Sequence, residues 1–175
     1  MVFAPCLNSL VGEHKSKCQC RMQNLKSLKW RRLGNMFDHV KLFDAGRVKQ
    51  ENIRQGDMSN CYFIAALCSL TTKPGLIESL FITREINEAG IYAMRFYVNG
   101  KPKTVVVDDY IPVVNDGSPA FSRSKVPGEI WMCLLEKGWA KLHGSYSAIE
   151  SGQAELVFQH LTNMPTQLFL HRGED

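Results

Sequence analysis

The stretch QGDMSNCYFIAALCSL, residues 55–70, decides the reading of this chain. Ser59 or Asn60 supplies an N-cap, and Phe63, Ile64, Ala65, Ala66, Leu67 and Leu70 follow as an apolar helix that Thr71, Thr72, Pro74 and Gly75 end. Cys61 falls in the first turn of that helix, where unpaired backbone N–H groups and the positive end of the macrodipole favour an anion, and hence a thiolate. Cys68, two turns further on, reads as an inert buried thiol. Taken alone, Cys61 reads better as a small buried residue, because free cysteine is among the most buried types. Gln55, six positions earlier, shifts that balance. A side-chain amide held ahead of the helix offers an N–H to an oxygen that becomes negative during thiol attack, beside the N–H of Cys61 itself.

Outward from this helix, Leu76 to Ile82 reads as a second short helix. IYAMRFYVNGKPKTVVVDDYIPV, residues 91–113, alternates apolar and polar residues around Asn99-Gly100. That pattern predicts a hairpin with a type I′ turn, since both central positions need positive φ. Residues 113–128, VVNDGSPAFSRSKVPG, are loop by composition. From Glu129 to Leu142, the residues Trp131, Leu135, Gly138, Trp139 and Leu142 share one face at three- and four-residue steps, the pattern of a core helix stopped at Gly144. A last helix is expected over Gln153–Leu161, before Pro165. The fold class is α+β, mostly helical with a small antiparallel sheet.

With 175 residues, 45% hydrophobic and 22% charged, the chain has enough apolar material for one ordinary core. Residues 1–28 show no steady periodicity and read as a basic, flexible N-terminal extension, leaving 29–175 as the domain. No apolar run reaches the roughly 18 residues needed to span a bilayer. The start lacks a basic segment ahead of its short apolar stretch, so no signal peptide is expected and a cytoplasmic location is. Eight Lys/Arg against two acids lie in residues 1–41, while the remainder is close to neutral. The basic stretch is open to a weak contact with an anionic membrane surface; its plainer reading is a solvated tail. Without aromatic interleaving, no nucleic acid partner is expected. The six cysteines do not form a staple framework: Cys61 and Cys68 lie about 10 Å apart on one helix, too far for a disulfide. The Cys18-x-Cys20 spacing, with Cys6 and His14 nearby, fits zinc poorly.

The flanking sequence adds a family. KWRRLGNMF, LFDAGRVKQENIRQGDMSNCYFIAALCSL, TVVVDDYIPV and GEIWMCLLEKGWAKLHGSYSAIESG together resemble the calpain family of cysteine proteases, specifically the first of the two subdomains of its papain-like protease core. The resemblance covers about residues 29–165 and implies an intracellular, calcium-dependent endopeptidase acting on protein substrates. Cys61 matches the family nucleophile and Gln55 the oxyanion-hole glutamine. Glu129 matches a calcium-binding carboxylate, and Asn52 stands where the family usually has the second one, an aspartate. Asn52 still offers a carbonyl oxygen, but one negative charge fewer weakens a site for a hard cation such as Ca²⁺. Carbonyls in the Phe43–Gly46 turn would complete that site. Equally, Glu129 reads as an acid at a helix N-terminus.

The sequence departs from the family pattern at Ser59-Asn60, where Gly-Asp is usual, and at Tyr62, where Trp is common. A side chain at Ser59 stands where the backbone closely approaches substrate. The family's catalytic His and Asn belong to a second subdomain, expected from a missing half or a longer parent chain. His143 reads as a cap or packing residue, His160 as part of a short amphipathic helix, and His171 as part of a charged tail. On this reading the chain carries a nucleophile and an oxyanion donor and is inactive alone. The competing reading is a non-catalytic, calpain-like module that binds a protein partner through its open cleft face.

Overall fold

The computed structural model describes residues 3–12 and 25–169. It is a mixed α+β domain, as the sequence leads one to expect, with a helix at its centre. Helix α3 (Trp131–His143) is buried along every face from Trp131 to Ala140. The other described helices are α1 (Leu7–Val11), α2 (Cys61–Leu70) and α4 (Ala154–Thr162).

The strands form three two-stranded antiparallel ladders rather than one small sheet. Strand β1 (Lys29–Arg32) pairs with β5 (Tyr110–Val113), β2 (Ile53–Arg54) with β6 (Arg123–Ser124), and β3 (Ile91–Val98) with β4 (Lys101–Asp108). Asn99 and Gly100 turn the β3–β4 hairpin with φ of 51° and 74°, the positive values a type I′ turn demands. Tyr92, Met94 and Phe96 point inward from β3, and Val105 and Val107 from β4. Gly138 lets this face reach α3: a Cβ there would lie 2.8 Å from the Met94 methyl and 3.2 Å from the Phe96 ring.

The apolar stripe on α3 is wider than its sequence pattern, because Glu136 and Lys137 are inside as well. Lys137 Nζ binds Asp108 Oδ1 at 2.6 Å, donates to the Tyr110 carbonyl at 2.5 Å and lies 5.4 Å from the Trp30 ring centroid. This one ammonium therefore joins α3 to β4, β5 and β1. At the other end, α3 stops at Gly144, which has φ 104°.

Two expectations change. Residues 76–82 contain only a 3₁₀ turn, Glu78–Leu80, because Phe81 bridges Met94 and Ile82 donates to the Ala93 carbonyl, drawing the chain out along the edge of β3. The start of the presumed extension is packed on the domain. Phe3 and Leu10 are buried, Phe3 lies 5.9 Å from the Tyr146 ring, and Tyr146 N–H donates to the Ser9 carbonyl. Five helical residues are too few for a periodic signal. Lys15, Lys17, Arg21, Cys18, Cys20 and His14 lie outside the described residues, as does His171.

Candidate active site

The site begins with a turn pressed onto its neighbour. Gly56 lies so close to the 120–122 segment that a Cβ on it would fall 2.3 Å from the Phe121 carbonyl carbon and oxygen, so only glycine fits without a shift. Asp57 N–H donates to the Ala120 carbonyl at 3.0 Å, beside the short β2–β6 ladder. Within this turn Gln55 is exposed and its Nε2 donates to the Met58 carbonyl at 2.7 Å. That bond uses one of two amide hydrogens and fixes which end of the amide is the donor.

Cys61 is the first residue of α2, exposed and unpaired. Asn60 is the N-cap residue, with its carbonyl accepting from Phe63 and Ile64 N–H, yet its side chain does not cap the helix. No side chain among the described residues claims the first-turn N–H groups. Asn60 is instead fully buried, and its Nδ2 donates to Glu136 Oε1 at 2.7 Å, leaving Oδ1 buried without a partner. Glu136 also accepts from Ser122 N–H at 3.0 Å and from the Ser122 hydroxyl. Burial pushes the Glu136 carboxyl up to about 7, against the pull of these Ser122 and Asn60 hydrogen bonds. The adjoining cavity, lined in part by Ser122, Cys133 and Tyr146, holds only about 10 Å³. Protein donors rather than solvent therefore satisfy the carboxylate.

The thiols differ sharply. Burial pushes Cys133 up to about 12 and also raises Cys68, which is only half-buried. Cys6 is exposed, and the Ser9 backbone N–H draws its pKa down. The histidines of the helices gather on Trp139, whose Nε1 donates to the Tyr62 hydroxyl. His143 lies 4.1 Å and His160 5.3 Å from that ring, with His143 Nδ1 against the Trp139 carbonyl at 2.9 Å. Burial lowers both imidazoles. Among the described residues no hydrogen bond joins either to Cys61.

Glu129 and Asn52 are brought to one neighbourhood, beside the 124–125 segment. Glu129 is buried, and its two oxygens accept from Asp44 N–H at 2.8 Å and from the Ser124 hydroxyl. The Asn52 carbonyl accepts from Lys125 N–H at 2.8 Å, next to Ser124 in the chain. The nearest second carboxylate in that turn, Asp44, is held by Lys41 Nζ at 2.6 Å. Among the described residues no three His, Cys, Asp or Glu side chains gather in one place.

The family model of calpain family cysteine proteases matches residues 1–174. The chain belongs to the calpain family. Its relatives include the calpain-type cysteine protease ADL1 of Oryza sativa subsp. japonica, 42% identical over 118 residues, which are 67% of this chain and 5% of the rice protein. Calpain-5 of Caenorhabditis elegans is 34% identical over 168 residues, 92% of this chain and 24% of that protein. Calpain-A of Drosophila melanogaster is 33% identical over 130 residues, 73% of this chain and 16% of the fly protein. The chain thus spans between a twentieth and a quarter of the length of these calpains.

In this calpain-family domain the sequence pattern leads to Cys61 and Gln55 and passes over Glu136. A charged residue on a helix reads as solvent-facing. The signal against that reading is local: Met132 and Ala140 flank Glu136 one turn away on either side, so an apolar stripe runs straight through the carboxylate.

Proposed function

We propose that this chain is the nucleophile-bearing part of a calpain-like cysteine endopeptidase of the cytoplasm. The observation that carries the reading is the exposed Cys61 at the head of α2, with the Gln55 amide fixed by Met58 in the turn that leads to it. The Cys61 thiolate attacks the carbonyl carbon of a peptide bond in a protein substrate. The oxygen becomes negative between the Cys61 N–H and the Gln55 amide hydrogen that Met58 leaves free. Protonation of the leaving amine completes acyl transfer, and water then hydrolyses the thioester. The proton donor, a His oriented by an Asn, is assigned to a second subdomain within a longer parent protein, in keeping with the small share of the relatives' length that this chain spans. Residues 1–175 alone are inactive on this reading. Free thiols at Cys6, Cys61, Cys68 and Cys133 agree with a reducing compartment. No helix among the described residues is long and apolar enough to cross a membrane.

Calcium, which the family resemblance implies, would find a weakened ligand set here. Ca²⁺ takes six to eight oxygen ligands, drawn from carboxylates, amide and backbone carbonyls and water. Glu129 already accepts two hydrogen bonds, the neighbouring Asp44 is paired with Lys41, and position 52 carries a neutral amide oxygen in place of a carboxylate. No step of the reaction is therefore routed through calcium.

The test uses the isolated chain with an unfolded protein substrate, with and without calcium. No turnover is expected. Clear turnover abolished by Cys61→Ala would overturn the assignment of the proton donor to another subdomain. Separately, site-resolved mass spectrometry after brief iodoacetamide treatment should find Cys61 modified well ahead of Cys68 and Cys133; equal labelling of all three would remove the case for a nucleophile.

A further inference from the structure

The geometry points to Glu136 as the positioning residue of the oxyanion hole: through Asn60 it fixes the peptide that carries the Cys61 N–H, and through Ser122 it fixes the segment under the Gln55 turn. The inference rests on the oxyanion role proposed above for those two donors. Three local choices around this contact are unfavourable taken singly. Asn60 forgoes the side-chain cap that would stabilise its helix. Its Oδ1 is buried with no partner, which is costly for a polar atom. The Glu136 carboxyl is buried where no cation among the described residues reaches it, since the neighbouring Lys137 is turned to Asp108 and Tyr110. All three converge on one bond, Asn60 Nδ2 to Glu136 Oε1 at 2.7 Å, immediately before the nucleophile. Local rules broken together in this way mark a place constrained by something other than stability.

The connectivity says what is constrained. The Asn60 carbonyl carbon is bonded to the Cys61 nitrogen, so pinning the Asn60 side chain restrains the residue whose ψ of 38° sets the direction of the Cys61 N–H. The other arm holds Ser122 by both its N–H and its hydroxyl. Ser122 follows Phe121 and Ala120, on which Gly56 and Asp57 rest. A single carboxylate thus spans the two elements that supply the two oxyanion donors. Misplacing such donors by about 1 Å costs on the order of a hundredfold in rate.

The test compares two reactions of Cys61 in the same chain. With p-nitrophenyl acetate the thiolate forms a C–S bond to the ester carbonyl through a tetrahedral oxyanion. The C–O bond then breaks, p-nitrophenolate leaves with the electron pair, and an acetyl thioester remains. With iodoacetamide the C–S bond forms as iodide leaves, and no oxyanion appears. Both reactions need the same thiolate and the same access, so the ratio of acylation to alkylation rates reports the oxyanion hole. Both rates are read at the Cys61 peptide by mass spectrometry, apart from Cys6.

Gln55→Ala is expected to lower the ratio by about tenfold or more, and Glu136→Gln by about tenfold with alkylation changed less than about twofold. A folded Glu136→Gln chain with an unchanged ratio, beside a lowered ratio for Gln55→Ala, would overturn the positioning role and leave the proposed function standing. An unchanged ratio for Gln55→Ala would sink the oxyanion reading itself, and the positioning role with it. If Glu136→Gln does not fold, Asn60→Ala decides, because it cuts only the arm that reaches the nucleophile. A ratio lowered about tenfold supports the inference; a ratio like that of the parent chain overturns it.

Discussion

Glu129 and Glu136 are two buried carboxylates seven residues apart, one just ahead of α3 and one within it, and each accepts a serine hydroxyl from the 122–124 stretch. What lies opposite separates them. Glu129 stands just before α3 and receives the Asp44 N–H from a surface loop, with the Lys41–Asp44 pair close by. Glu136 lies mid-helix and receives the Asn60 amide from the cap of α2, with no cation on it. The first fastens a loop and the second fastens the residue before Cys61. The same residue type in the same helix neighbourhood is thus a peripheral strut or a central one according to which backbone its partners belong to.

The comparison breaks most directly through deletion. Glu136→Ala leaves the Asn60 amide and both Ser122 donors unpaired in the interior and should cost about 3–5 kcal/mol in urea unfolding. Glu129→Ala, nearer the surface, should cost about 1–2 kcal/mol. Equal losses would abolish the distinction between centre and periphery.

Titration sharpens it next. The folded carboxyl of Glu136 is raised from 4.5 to about 7 by burial, so the folded state holds a proton that the unfolded state has released. The stabilisation from this group is full below about 4.5 and falls as pH rises to about 7, by up to roughly 3 kcal/mol. His143 and His160, both lowered by burial, act in the opposite sense, losing stability as pH falls below 6.5. Subtracting the Glu136→Gln profile from that of the parent chain isolates the carboxyl. The difference should slope downward from pH 4.5 to 7, and a flat difference would mean that Glu136 is ionised throughout.

On the Glu129 side, Asn52→Asp adds the second carboxylate that the family usually carries. It should create a calcium-dependent rise in melting temperature of a few degrees at millimolar calcium, whereas the parent chain should show none. A rise in the parent chain would show that the Glu129 turn opens to a metal. The smallest expected effect is Lys41→Met. Its pair with Asp44 is only part-buried, so the loss in urea unfolding should be the smallest of the series, and smaller still at high salt.

Much of the fold is legible in the sequence because it follows from spacing. Trp131, Leu135 and Trp139 announce α3, Asn99-Gly100 announces the hairpin, and the apolar run after Cys61 announces α2. The Gln55–Cys61 turn is legible too, with the family residues around it. Illegible are the features that depend on partners distant in the chain. The apolar flanks of Glu136 point to its burial, but nothing in LLEK says that Glu136 and Lys137 turn to different elements, because each is satisfied by residues between 14 and 76 positions away. Nor does Glu129 disclose that its oxygens are taken by Asp44 and Ser124. Residues 3–12 escape for a different reason: their burial is settled by Tyr146, and one and a half turns carry no period.

The contact of Gly56 with the Phe121 backbone has a consequence for how this site tolerates change. Main chain meets main chain there, so the Gln55 turn is held by the path of the 120–121 backbone, while the Ala120 and Phe121 side chains face the core. One residue added to or removed from the 113–121 connection would shift the support under Gln55 by about 3 Å relative to Cys61, which is carried separately by α2. The site is therefore intolerant of insertion along this segment, a constraint set by backbone spacing.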